Sequence, residues 1–443
     1  MTSVQNTLGW TLALMLAVGC GETTSSDDTE ATDEVVEDTG AMYDCDDGQL
    51  DAQNDAEERE NATRAARPGV VADASAVPFP DEMVLERTST VVTADFINHS
   101  ISVLDLERLM ESGGCRDSAL VREVKFADEL PPAFAVEITA DGKRAVIAAS
   151  AEWLQLAPLI AGDDAAALME MIGPQAEGGV ISVVDIETGE QLAHMPNSGP
   201  PMLIAITPDG TRAFTANAQA GTMTVVDLEA LEIIDELDVG GNPEVVIVSP
   251  DGKYGIVNQA TAGTITMFET ADPAGTMSDP VNLGTDTSDM AWIEGRPDTI
   301  VASLSFKNSA GGDYVVVDVS DPTAPEIIER GPDISGLGIL TSVPFVVTPI
   351  PGTSAMVMSA AEQGFSEARV SRVDFSVTPS VVEWTTTVPA RGITMGIAVD
   401  PTGTVGLAGL LGEREMLKIN LEDGALDSMH WMDQLGPSYI AIH

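Results

Sequence analysis

Histidine, cysteine and clustered carboxylates are the side chains best suited to hold metals or move protons, and this chain is rich only in the last. His99, His194, His430 and His443 are its only histidines, and they are scattered. A haem, copper or quinone centre draws several His or Cys ligands, which four dispersed imidazoles do not supply. No HExxH, CxxC, CxxCH, GxSxG, P-loop or helix-opening GxGxxG occurs. His99 and His194 fall at expected inter-strand turns and read as surface residues. His443 ends the chain on an apolar strand. Asp105, Asp185, Asp227 and Asp318 recur at one position of a repeating pattern. Such carboxylates could hold a divalent cation such as calcium, but a short carboxylate at a strand end also caps a turn by accepting backbone N–H groups, and capping is the simpler reading. Asp44, Asp46, Asp47 and Asp51 surround Gly48 without the alternating spacing and terminal Glu of a calcium-binding hand. The 19 methionines are dispersed gap fillers, so they form no copper tract. No cofactor is expected beyond that possible cation.

Those carboxylates belong to a chain of 443 residues with net charge −51. Residues 21 to 60 contribute −15 of this, and everything after residue 60 contributes −36. The acidity is therefore a property of the body as well as of one tail. Nucleic acid binding requires clustered Lys and Arg, and this body repels phosphate. With 44% hydrophobic residues the chain can still bury a large core.

The elements that position the recurring Asp form a repeat of about forty residues. PPMLIAITPDGTRAFTANAQAGTMTVVD (200–227) overlays NPEVVIVSPDGKYGIVNQATAGTITMF (242–268), and PAFAVEITADGKRA (132–145) with GVISVVD (179–185) gives a third copy. Asp209 lies 42 residues before Asp251, and Asn217 lies 41 before Asn258. Each unit reads as an alternating apolar strand, a turn, a second strand ending near Asn, a small-residue turn and a third strand ending in Asp. In Pro208-Asp209-Gly210 and Pro250-Asp251-Gly252, Pro presets φ, Asp bonds nearby backbone and Gly takes positive φ. A three-residue hairpin is the predicted outcome, with Asn217 and Asn258 as strand-end turn residues.

The order NPxxφxφxPDGxxφφxN…TφxVφD resembles the YVTN-type β-propeller repeat of exported bacterial and archaeal proteins, most clearly over residues 179–268. The resemblance implies an all-β fold with blades around an axis. Degenerate copies include INHSISVLD (97–105), YVVVDV (314–319) and ITMGIAVDPTG (393–403). Inner strands are expected near residues 135, 204, 245, 291, 346, 396 and 440, giving seven four-stranded blades. The last inner strand has no hairpin after it, and strands near Met83 to Asp95 lack an inner partner. The two chain ends should complete one blade and remove the open edges. Residues 150–175, rich in Leu, Ala and Met, interrupt the ring as an expected helical insertion that covers an edge or one face.

At the other end of the chain, Leu8 to Val18 is apolar but shorter than the roughly 20 residues that span a bilayer. It reads as an export signal. LAVGC, ending at Cys20, resembles the lipobox of bacterial lipoproteins, which implies lipid attachment at Cys20 after removal of residues 1–19. Gly21 in place of Asp then leans toward the outer membrane of the cell envelope. Residues 20–78 are acidic and nearly free of aromatic residues, so they read as a disordered tether to a propeller spanning 79–443. Outside the cytoplasm Cys45 and Cys115 are more often bonded than free, and a disulfide between them would pin the tether to the loop near Ser112.

Two functions follow from this organisation. One is a non-catalytic binding or interaction scaffold that presents a face to a protein, glycan or small-molecule ligand. The other is a lactonase-like metal-dependent hydrolase, which requires three or four carboxylate or amide side chains converging at one end of the propeller channel.

Overall fold

In a computed structural model, residues 89–443 are described apart from 112–115, 128, 151–178, 285, 305–311, 333, 335–341, 363–367, 389–393, 411–414 and 431–436. They form seven four-stranded antiparallel sheets, each pairing in chain order except the first. That arrangement is a seven-bladed β-propeller. The innermost strands are Ala133–Ile138, Pro201–Ile206, Val246–Val248, Thr287–Ile293, Ser342–Pro349, Thr394–Val399 and Tyr439–Ile442, as the repeat spacing predicts. The first blade takes its innermost strand from the C-terminus: Val91 to Ala94 pair with Ile442 to Tyr439. Backbone bonds between Thr90 and His443 in both directions fasten the join.

Middle strands such as Arg212–Asn217 and Thr222–Asp227 are buried on both faces because blades stack side by side around the axis, whereas outermost strands such as Glu326–Arg330 alternate exposed and half-buried residues. The core accordingly lies between blades. Val92 and Ile101 of the first blade pack with Val136 and Ile147 of the second. Phe214 of the third meets Phe268 of the fourth, with ring centroids 5.3 Å apart.

At the Pro-Asp-Gly turns the loop is one residue longer than the predicted three. The Thr207 N–H bonds the Arg212 carbonyl and closes a loop over Pro208–Thr211. Asp209 accepts from the Thr207 hydroxyl at 2.6 Å and from the Thr211 N–H at 3.0 Å, while Gly210 holds φ at +71°. Ser249, Asp251 and Gly252 repeat the device, as do Thr139, Asp141 and Gly142. The turn hydrogen bonds hold the Asp209 carboxyl below the usual carboxylate range, and the Lys253 ammonium, followed by the Ser249 hydroxyl, holds Asp251 at about 2.

Asn217 and Asn258 do stand at strand ends, but neither side chain caps a turn. Both are fully buried. Asn217 donates to Thr222 and Thr224 of its own blade and accepts from Asn197 of the preceding one at 2.7 Å. Pairing registers place Gln259, not Asn258, opposite Thr264 as Asn217 is opposite Thr222. Gln259 correspondingly bonds Thr264 and Thr266. The 41-residue spacing thus marks a change of face: the Asn258 side chain accepts from its own blade and donates to the next one.

Candidate functional site

The innermost strands begin together at one end of the ring, opposite the Pro-Asp-Gly turns, and three acids interrupt their apolar pattern. Glu244 sits two residues before Val246–Val248. Asp289 lies within Thr287–Ile293, and Glu137 within Ala133–Ile138. Asp286 immediately precedes the innermost strand of the fifth blade, Thr287–Ile293, and Tyr439 opens the last innermost strand in the chain.

Local bonds fix this group. Asn258 accepts the Glu244 and Val245 N–H groups at 2.9 and 2.8 Å, and donates to the Thr287 carbonyl at 2.9 Å. The Glu244 carboxyl faces Asn242 Nδ2 at 3.3 Å. Asp289 accepts from its neighbour Met290 N–H and, across the blade junction, from Val347 N–H, both at 2.8 Å. Its own N–H donates to Ser303 Oγ at 2.9 Å. Tyr439 packs edge-on to Phe134 at 5.3 Å. On its other side the backbone of Gly396 approaches so closely that a Cβ there would lie 2.6 Å from the ring.

Electrostatics bind these groups into one unit. Burial pushes Glu244 up to about 8, assisted by the negative charge of Asp286. Burial likewise raises Asp286, and takes Asp289 to about 7 against two opposing backbone hydrogen bonds. The Tyr439 phenol is raised well above its ordinary value by burial and by the charges of Asp289 and Glu244. Glu244 therefore senses Asp286, and Tyr439 senses both Asp289 and Glu244. Glu137 is raised by burial to about 7. It occupies the register position filled by Ala205, Ile247, Ala291, Thr348, Ala398 and Ala441 in the other blades. Its side chain still reaches solvent, so protein surrounds it without sealing it.

Among the described residues no three His, Cys, Asp or Glu side chains are grouped to hold a metal ion. What the cluster offers is protonated carboxyls that donate hydrogen bonds beside ionised ones that accept, which is the equipment of general acid–base chemistry.

The residues singled out in sequence lie elsewhere. Asp105, Asp185, Asp227 and Asp318 accept backbone N–H bonds from Arg108, Thr188, Glu229 and Ser320 and cap turns. Pro208, Asp209, Gly210, Pro250, Asp251 and Gly252 shape turns at the opposite end. His99 follows a short turn with φ +52°. His194 is not in a turn: it lies inside the strand Gln191–Asn197, bonds Ser182 at 2.9 Å, and burial lowers its pKa. His443 bonds the Ala140 carbonyl at 2.9 Å beside Gly142, at the Pro-Asp-Gly end. Cys20, Cys45, Cys115, the leader, the tether and nearly all of the expected helical insertion lie outside the described residues. The strands flanking that insertion pair Ser150 with Gly179 at the carboxyl-rich end. Among the described residues no helix is long and apolar enough to cross a membrane.

Sequence reasoning missed Glu137, Glu244 and Asp289. Their signal was present in FAVEIT, NPEVVIV and TSDMAW, where an acid interrupts an inner strand that is otherwise apolar.

No protein-family model matches the chain, and no curated protein matches it in sequence. Among solved structures the chain is similar to two proteins each described as a "putative 6-phosphogluconolactonase". With that of Bacteroides uniformis it shares 16% identity and a TM-score of 0.60, covering 80% of this chain and 99% of that one. With that of Bacteroides fragilis the values are 13% and 0.59, over 82% and 100%. The periplasmic gluconolactonase of Pseudomonas aeruginosa is similar at 12% identity and a TM-score of 0.58, over 80% and 98%. At these identities the likeness is one of fold.

Proposed function

We propose that this propeller binds a small uncharged polyhydroxy lactone at the carboxyl-rich end of its channel and hydrolyses it without a metal. The observation that supports this reading is the convergence of Glu244, Asp286, Asp289 and Tyr439, with the Glu244 and Asp289 carboxyls raised into the neutral range. An ionised carboxylate takes a proton from water as it attacks the ring carbonyl. A protonated carboxyl or the phenol then donates to the ring oxygen as the acyl–oxygen bond breaks. Glu244 and Asp289 are the residues assigned to this proton exchange. The structural neighbours described as lactonases lend the substrate class. The negative charge of the channel end disfavours a phosphorylated sugar lactone and favours a neutral one.

In this reading the protein works outside the cytoplasm, held to the envelope by lipid on Cys20 and spaced from it by residues 20–78. The scaffold alternative has no comparable cluster of groups in its favour.

The test is acid release from glucono-δ-lactone and from its 6-phosphate by the purified full chain, with and without chelator. We expect hydrolysis of the neutral lactone well above the spontaneous rate, unchanged by chelator and lost by roughly 10²-fold or more in Glu244→Gln or Asp289→Asn. A rate no higher than the spontaneous one for neutral lactones would end the proposal. Labelling with a fatty-acid analogue, compared with Cys20→Ala, tests the anchor separately.

A further inference from the structure

Five of the seven blade junctions carry the same clamp among the described residues. An arginine of one blade donates to a backbone carbonyl one or two residues past the third strand of the next. Arg122 reaches Glu187, Arg144 reaches Leu228, and Arg212 reaches Thr270 and Ala271. Arg296 reaches Phe375, and Arg372 reaches Leu421. At the junction of the seventh and first blades, Val405 packs against the apolar cluster containing Leu106 instead.

The junction of the fourth and fifth blades differs. Tyr254 pairs with Glu269 as Arg212 pairs with Asp227 and Arg144 with Asp185, so a tyrosine stands where two of the five clamps have their arginine; Arg122, Arg296 and Arg372 reach their carbonyls from other positions in the blade. The backbone that would accept is Val319 and Ser320, directly after the strand Tyr314–Asp318. Tyr254, Val319 and Ser320 all line a cavity of about 310 Å³. Asp251 and Asp298 also line it, with Trp292 and Met267, and Pro250, Pro297 and Pro322 complete its wall.

We propose that this cavity is a guanidinium site, filled by an arginine side chain from a partner polypeptide. The other junctions show what chemistry this place in the blade accepts: a planar cation donating to the carbonyls after the third strand. Asp298 adds a carboxylate partner for its remaining N–H groups, Asp251, already paired with Lys253, closes that side of the site, and the two aromatic rings suit a cation and its stem. Prolines and Met267 cover the apolar methylenes of the side chain. A chain of net charge −51 attracts a cationic partner from a distance. The cavity lies at the Pro-Asp-Gly end, away from Glu244 and Asp289, so this site does not depend on the lactone reading.

Titration of the full chain with Nα-acetyl-L-arginine methylamide, followed by calorimetry, tests it, with the citrulline and lysine counterparts as controls. The arginine compound should bind saturably at one site, at least tenfold more tightly than the citrulline one and several-fold more tightly than the lysine one. Tyr254→Arg, which supplies the missing guanidinium from within, should abolish that binding and leave lactone hydrolysis unchanged. Asp298→Asn, at an exposed position that spares the fold, should weaken it at least fivefold. Absence of saturable binding, equal binding of citrulline, or undiminished binding by either variant would overturn the site.

Discussion

The side-chain oxygen of Asn258 holds the backbone N–H of Glu244 at 2.9 Å, from the next strand of the same blade. The same amide nitrogen reaches Thr287 in the following blade. One buried side chain thereby sets the starts of both strands that carry the channel acids. Leucine at this position matches the size but strands two N–H groups and a carbonyl. We expect Asn258→Leu to cost about 3 kcal/mol, by the 1–3 kcal/mol typical of a buried unsatisfied group. Denaturant titration measures it; a cost within experimental error would show that the amide does not organise the site.

Four acids with raised pKa values make stability depend on pH in a direction opposite to the usual one. Asp95 is raised to about 6, Glu137 and Asp289 to about 7, and Glu244 to about 8, chiefly by burial. Across this window the folded chain binds more protons than the unfolded one, so stability is greatest near pH 4 and declines as pH rises toward 8. Asp209 and Asp251, held low, lose their contribution only in stronger acid. The melting temperature should be higher at pH 5 than at pH 8.5 at constant ionic strength, and Glu244→Gln should narrow the gap. Glu137, reached by solvent, should matter least. An unchanged gap in the Gln variant would show that Glu244 ionises freely.

Ring closure depends on a short segment. The Ser438 hydroxyl donates to the Phe134 carbonyl at 2.6 Å and lies 3.1 Å from that of Ala94. Deleting residues 438–443 would bare the strand Thr90–Asp95 along its inner edge, and we expect aggregation or loss of cooperative melting. Ser438→Ala alone should cost about 1–2 kcal/mol. A truncated chain that stays monomeric in size-exclusion chromatography and melts cooperatively would contradict the closure argument.

Gly396 and Tyr439 offer a way to move the phenol without touching an acid. A methyl group at residue 396 would come within 2.6 Å of the ring. Gly396→Ala should displace Tyr439 and lower lactone turnover about tenfold or more, with Tyr439→Phe giving a similar loss and little change in stability. Full activity in both variants would remove Tyr439 from the site.

Much of the architecture was legible because it depends on local chemistry repeated in register. Thr207 to Arg212 and Ser249 to Tyr254 form the same turn from the same residue types, and each innermost strand carries its own apolar alternation. The site was less legible because its members come from different blades. Glu244, Asp289 and Tyr439 are separated by 45 and 150 residues along the chain. Each looks alone like a departure from pattern.

Sequence by itself determined the ring of seven blades and its closure by the C-terminal strand, because hydrophobic period and turn chemistry act over a few residues. Only the tertiary structure decided which departures from the repeat meet. It brought the acids to one end, where shared burial raises them into the neutral range. It also placed Tyr254 of one blade and Val319 of the next around a single cavity. Those properties arise from proximity and desolvation across blade junctions, which no single repeat encodes.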